Sequence, residues 1–220
     1  MKNLDVFVTG HPRSGTTLLS MLMTSPENST WCMVEPTTGG MPLVNRQAIE
    51  FEVDVNCPLK EMPERLDSLD KWGIKEVTPN KRIGVVNTYN PKFTVTMHRD
   101  IRDCVVSLIE FSSKNYTVEK MCEFVNYTTT KFLEFIDIKE TILVPYEDFV
   151  SDEKYRQELS DKIEWPLIGD QNKYLGGRRK NEARDGIYCR RSSADREKYS
   201  EYMDAVHETC KPYQDRFGYE

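Results

Sequence analysis

The sequence has no apolar run approaching the ~20 residues that cross a bilayer. Its net charge of −6 gives it no general means of attracting nucleic-acid phosphates. Membrane insertion and non-specific nucleic-acid binding are therefore not expected. Histidine is scarce, with only His11, His98 and His207 available for chemistry near neutral pH. The six cysteines (Cys32, Cys57, Cys104, Cys122, Cys189 and Cys210) form no CxxC pair and no metal-ligand spacing, so no metal site is expected. Nothing before the first apolar run, Leu4 to Thr9, has the regions of a signal peptide, and the thiols read as reduced, in a cytoplasmic setting. Repeats, low-complexity tracts and convincing linkers are also missing. Residues 1–220 read as one domain, long enough to bury roughly 70% of its unfolded surface.

What is present alternates. Leu4 to Thr9 suits a buried strand ending in Gly10, and Thr16 to Thr24 suits a helix stopped by Pro26. Trp31 to Val34 and Lys92 to Met97 read as further strands, the latter rich in β-branched and aromatic residues. A helical pattern runs through Cys104, Val105, Leu108 and Ile109. Val118 to Ile138 places Met121, Val125, Phe132 and Phe135 on one face of a long amphipathic helix. Thr141 to Val144 predicts a strand, Asp148 to Ile163 is mostly helical, and Ala194 to Tyr213 predicts a polar helix. Residues 37 to 72 are mixed, with one helix expected near 59 to 72, and Arg82 to Val86 predicts a short strand. Strands alternating with helices imply an α/β fold: a P-loop-like, three-layer arrangement with a central, mainly parallel sheet flanked by helices.

Two stretches carry chemistry. Gly10-His11-Pro12-Arg13-Ser14-Gly15-Thr16-Thr17 has the spacing of a phosphate-binding loop between a strand and a helix. There, glycines allow a tight path and backbone N–H groups face an anion. Ser14, Thr16 and Thr17 add hydroxyls, and Arg13 adds positive charge. The lysine that a nucleoside triphosphatase places after the second glycine is missing, with Thr16 in its position, which disfavours triphosphate chemistry. The second stretch is Met97-His98-Arg99-Asp100-Ile101-Arg102-Asp103, with Ser107 following in the predicted helix. Arg99 falls at the carboxyl end of its strand, where open α/β sheets bind ligands. Arg99 and Ser107 could serve one anion together, the arginine as a fork and the serine as a hydroxyl donor.

Together these stretches resemble the sulfotransferases that use 3′-phosphoadenosine 5′-phosphosulfate (PAPS). Pro12-Arg13-Ser14-Gly15-Thr16-Thr17 is similar to that family's 5′-phosphosulfate loop, and Arg99 with Ser107 to its 3′-phosphate motif, with Ile101 where proline is usual. Val144-Pro145-Tyr146-Glu147-Asp148-Phe149 and Arg216-Phe217-Gly218-Tyr219 resemble further family stretches, less specific than the first two. The likeness is nearest to the carbohydrate and tyrosylprotein branches. It implies PAPS as sulfuryl donor, 3′,5′-bisphosphoadenosine (PAP) as product, and a hydroxyl-bearing acceptor: a carbohydrate, a peptide tyrosine or a small alcohol.

The resemblance also implies roles. Arg13, with Thr16 and Thr17, would stabilise the leaving phosphate. Glu35 would take the acceptor proton, as a glutamate similarly placed after the loop does in those branches, with Glu76 in reserve. Lys75 would sit near the transferred group. Arg178 and Arg179, in Gly176-Gly177-Arg178-Arg179-Lys180, would cover the adenine and 3′-phosphate, although the family's usual glycine–aspartate–tryptophan sequence is missing there. His11 and His98 read as hydrogen-bonded bystanders near the cofactor. Two other readings stay open: a phosphotransferase that has lost its loop lysine, and a PAP- or PAPS-binding protein without turnover. Residues 36 to 72 and 112 to 125 are expected to shape the acceptor site, and their sequence does not name the acceptor.

Overall fold

Five short strands with apolar, mostly β-branched or aromatic centres can be buried only if both sheet faces are covered. The computed structural model describes residues 3–36, 47–51, 66, 68–111, 116–170 and 193–220, and in it that condition is met. The strands are β1 (Val6–Gly10), β2 (Thr30–Val34), β3 (Lys71–Lys75), β4 (Phe93–His98) and β5 (Ile142–Pro145). They form one parallel sheet in the order β2-β3-β1-β4-β5. The helices are α1 (Thr16–Leu22), α2 (Pro79–Tyr89), α3 (Ile101–Phe111), α4 (Val118–Ile138), α5 (Tyr146–Ser151), α6 (Glu153–Lys162), α7 (Ser193–Lys198), α8 (Ser200–Thr209) and α9 (Lys211–Phe217).

Alternate side chains of each strand point to opposite faces. Phe7, Trp31, Trp72 and Ile74 pack on one side with Val85, Val86 and Tyr89 of α2 and Phe135 of α4. Val6, Val8, Cys32, Val95 and Val144 pack on the other with Leu19 of α1, Phe149 of α5 and Leu159 of α6. A third cluster joins α3 and α4 to α8 and α9. This is the three-layer α/β arrangement read from the sequence. Among the described residues no helix is long and apolar enough to cross a membrane. The described cysteines Cys32, Cys104, Cys122 and Cys210 are free thiols.

Two expectations are corrected. Arg82 to Val86 is not a strand but the middle of α2. Pro79 occupies the first helical turn, Arg82, Val85, Val86 and Tyr89 share the buried face at helical spacing, and Asn90 ends the helix in a left-handed conformation. The helix expected near 59 to 72 lies mostly outside the described residues, and its end, Lys71 and Trp72, belongs to β3. That strand is central: it pairs with both β1 and β2. Its burial overrides the weak strand signal of a five-residue segment with lysine at both ends.

The chain leaves β1 for β2 on one side of the sheet, and after β3 crosses to β4 on the other. The direction of winding therefore changes at β1, so the loop after β1 lies at the switch point where such sheets bind ligands.

Candidate functional site

The loop after β1 is built by close contacts that demand its residues. A Cβ at Gly10 would lie 2.5 Å from the Met97 carbonyl oxygen and 2.6 Å from Ser14 Oγ. At Gly15, φ is +98° and a Cβ would fall 2.4 Å from the Tyr146 ring, so both positions require glycine. Ser14 N–H donates to the His11 carbonyl at 3.1 Å, which tightens the turn. The N–H groups of Thr16, Thr17 and Leu18 open α1 and so have no carbonyl one turn earlier within the helix. Ser14 Oγ is fully buried with no hydrogen-bond partner among the described residues. A buried hydroxyl in that state is costly unless something else supplies the bond.

Two buried side chains hold this loop. Arg82 Nη2 donates to the Gly10 carbonyl at 2.8 Å and to the Val77 carbonyl at 3.0 Å. His11 Nδ1 donates to the Pro12 carbonyl at 2.7 Å, and Nε2 meets Thr128 Oγ1 of α4 at 2.7 Å. Burial is the main reason the His11 pKa falls to about 3. The ring is neutral, so Nε2 accepts from the threonine. His11 is a bracket between loop and helix, in keeping with its reading as a bystander.

On one flank, β2 and β3 deliver a carboxylate and an ammonium together. Glu35 follows β2 with φ +51°, and its N–H donates to the Lys75 carbonyl at 2.7 Å. Lys75 ends β3, and its Nζ donates to Glu35 Oε1. Lys75 is 3% exposed; burial above all lowers its pKa, Glu35 and Glu76 oppose that shift, and Arg13 adds to it. Arg13 is thus within electrostatic reach of the pair. Glu35 keeps 26% of its side chain exposed, leaving its carboxylate open on one side. Glu76 is fully buried, and its Oε1 accepts from Thr78 N–H at 2.9 Å. Arg13, at φ +72°, shares with Glu35 the left-handed backbone region, which side-chain-bearing residues adopt only when the surroundings enforce it.

On the other flank, Arg99 follows β4 and is 6% exposed. Its guanidinium lies 4.1 Å from the centre of the Tyr146 ring, and Nη2 is 3.7 Å from Asp103 Oδ2. Its backbone is clasped by the Tyr213 hydroxyl, which donates to the Arg99 carbonyl at 3.0 Å. Ser107 stands further along α3, where its Oγ accepts from Arg13 Nε at 3.2 Å. The Arg13 guanidinium also covers the Phe111 ring at 4.3 Å. The contact recorded for Ser107 is therefore to the loop arginine, and Arg99 faces Asp103 and Tyr146 instead. Because Ser107 accepts from Arg13, its own O–H remains to donate.

Arg13, Ser14, Gly15, Thr16 and Thr17 thus lie between Glu35 and Lys75 on one side and Arg99 and Ser107 on the other, all at the carboxyl edge of the sheet. Arg178 and Arg179 lie outside the described residues. Arg82, Tyr146 and Arg196 belong to this edge too; the sequence reading gave no site role to Arg82 or Arg196, and named Tyr146 only within a family-like stretch. Pro79 at the first turn of a helix with an apolar stripe was a signal for α2, and hence for Arg82. No local pattern marks Arg196, whose partners lie about ninety residues earlier.

No family model matches the chain, and no curated protein matches it in sequence. Solved structures do. The sulfotransferase domain of the olefin synthase from Synechococcus PCC 7002 superposes with a TM-score of 0.65 at 13% identity, covering 100% of this chain and 97% of that one. The sulfotransferase domain from the curacin biosynthetic pathway gives a TM-score of 0.52 at 14% identity, over 100% and 99% of the two chains. At such identities the likeness establishes the fold, which is that of sulfotransferase domains.

Proposed function

We propose that the protein is a PAPS-dependent sulfotransferase that moves a sulfuryl group to an acceptor hydroxyl. The observation that carries this reading is the Lys75–Glu35 pair beside a phosphate-type loop that has no lysine of its own. The positive charge a triphosphatase keeps inside its loop comes here from Arg13 and from a neighbouring strand, next to a partly open carboxylate. Such a pair can receive a proton and stabilise charge at the same place.

The donor supplies an activated sulfuryl group. The acceptor hydroxyl oxygen forms a bond to sulfur, the bond from sulfur to the bridging 5′-phosphate oxygen breaks, and PAP leaves with that electron pair. Glu35 takes the acceptor proton. Lys75 holds Glu35 in place through their hydrogen bond, and its ammonium lies where negative charge develops. Ser14 Oγ and the first N–H groups of α1 bind the 5′-phosphate, and Thr16 and Thr17 offer hydroxyls. Arg13 contributes charge towards the bridging oxygen. Arg99 and the free O–H of Ser107 serve the 3′-phosphate, the distant second anion that distinguishes this donor from a triphosphate. Arg178 and Arg179 are proposed to close over that end.

Calorimetry provides the test. PAP is expected to bind without added Mg²⁺. Binding of Mg²⁺–ATP with no PAP binding would overturn the reading in favour of a phosphotransferase. Tight PAP binding with no sulfated product from any hydroxyl acceptor would leave a binding protein.

A further inference from the structure

Four residues of the loop form a turn whose ordinary form is not the one observed. Ser14 N–H donates to the His11 carbonyl at 3.1 Å, so His11-Pro12-Arg13-Ser14 closes as a β-turn with proline in its second place. Two kinds of turn suit that proline, and they differ by turning over the central peptide, Pro12–Arg13. Type I leaves the third residue at negative φ and accepts almost any side chain there, whereas type II needs positive φ and favours glycine. Arg13 is not glycine, yet its φ is +72°, the strained choice. A contact must hold the central peptide over. The Pro12 carbonyl belongs to that peptide, and His11 Nδ1 donates to it at 2.7 Å. The ring is fixed at its far end too, where Nε2 meets Thr128 Oγ1 at 2.7 Å, and His11 is buried. Beside it, Arg82 draws the Gly10 carbonyl inward in the same way.

We infer that His11 is a positioning residue for the glycine loop: it holds the Pro12 carbonyl inward, selects the strained turn, and so keeps a peptide oxygen from facing the anion. With the central peptide turned over, the Pro12 carbonyl would point out of the interior and set the negative end of a peptide dipole against an incoming phosphate. A carbonyl only accepts, so the proton of the neutral ring sits on Nδ1 and Nε2 turns its lone pair to Thr128. His11 touches no ligand and acts through the loop alone. The inference rests on the functional reading above for the identity of the ligand, a nucleotide carrying a 5′-phosphate.

PAP binding to the purified full chain, followed by calorimetry, tests the inference, with urea unfolding of each variant alongside. His11→Leu keeps most of the ring's volume and loses the donor. It is expected to bind PAP about tenfold more weakly, the scale of one hydrogen bond. His11→Asn places an amide N–H where Nδ1 lies and leaves a gap where the rest of the ring was. It is expected to unfold at lower urea than wild type, yet to bind PAP within about threefold of it. Affinity that follows the donor and not the stability is a result that a merely structural role does not produce. His11→Gln, whose amide reaches the Nε2 end and not Pro12, is expected to bind as weakly as the leucine variant, and it carries the test should His11→Leu fail to fold. Wild-type affinity in either His11→Leu or His11→Gln overturns the inference. An asparagine variant as weak as the leucine one also overturns it, since the ring would then act by filling space. Failure of the wild-type chain itself to bind PAP would instead overturn the functional reading, and this inference with it.

Discussion

The two flanks of the glycine loop are built on opposite plans. Over β2 and β3 Lys75 is buried against Glu35, which is itself partly exposed, with the buried Glu76 within electrostatic reach. Over β4, in contrast, Asp100 pairs with Arg102 and Arg196 and accepts from Gln214, Asp103 pairs with Arg196 and Arg99, and the C-terminal residues close the cluster. His98 Nδ1 donates to the Tyr219 hydroxyl at 2.9 Å, and that hydroxyl donates to Glu147 at 3.2 Å. Phe217 stacks on His98 with ring centres 4.0 Å apart. A sparse, half-open pair can change protonation during a reaction. A cross-linked cluster keeps its geometry and suits tight recognition of a group that does not react. On the proposed reading, one flank serves turnover and the other binding.

The sharpest way to break this contrast is Glu35→Gln. Turnover is expected to fall by about three orders of magnitude, the scale of losing a positioned base, while PAP affinity measured by calorimetry changes by less than about twofold. Normal turnover would remove the division of labour altogether and move the base to Glu76 or elsewhere.

The next largest effect is expected beneath the loop. Arg82 is 1% exposed and fastens Gly10 to Val77 from below, and Glu76 lies within its electrostatic reach. Arg82→Met leaves two carbonyls and a buried carboxylate without that cation. Urea unfolding is expected to show a loss of about 3 kcal/mol, typical of removing one partner from a buried charged pair. A loss under about 1 kcal/mol would mean that the loop keeps its shape without support.

Arg99→Ala should weaken PAP binding by about 2 kcal/mol, the scale of one charged hydrogen-bond partner. Turnover at saturating donor should suffer far less. Unchanged affinity would sink the 3′-phosphate assignment and with it the contrast between the flanks.

How far these features could be read in advance depended on how local their causes are. The β1 loop was legible because its glycines and hydroxyls fall in eight consecutive residues with the spacing of a phosphate loop, although the contacts that demand Gly10 and Gly15 come from Met97 and Tyr146. Arg99 was legible as a residue at a strand end, and α4 as a long apolar stripe. β3 was not legible, because a five-residue strand with Lys71 and Lys75 at its ends and Gly73 at its centre owes its state to the strands on both sides. The α2 segment was misread because Val85 and Val86 favour strand, while its membership in a helix is decided by Pro79 and by packing on Phe135. The contact of Ser107 with Arg13, rather than with Arg99, depends on a loop and a helix separated by more than ninety residues. Spacing along one helix cannot report it.

The smallest effect is read by acid, and it sets the β4 flank against the loop between the flanks: His11 on the loop and His98 at the end of β4 are each buried and neutral. Burial lowers their pKa values to about 3 and about 4, against about 6.5 in the unfolded chain. Both folded values lie below the unfolded one, so between them the unfolded state binds more protons. Stability is therefore complete above about pH 6.5 and falls as the pH drops towards 4. Between pH 7 and pH 5.5 each histidine is expected to withdraw about 1 kcal/mol. Replacing either by glutamine should flatten the acid limb of a stability-versus-pH profile by that amount, whatever it costs at pH 7. The two variants should differ in what accompanies the change. Glutamine at 11 sits between Pro12 and Thr128, so its effect should appear in the loop and reach PAP affinity. Glutamine at 98 loses the stack on Phe217 and loosens the tail. An acid limb left intact in His98→Gln would place the titrating group outside the tail cluster, and the closure of that flank would then owe nothing to a neutral imidazole.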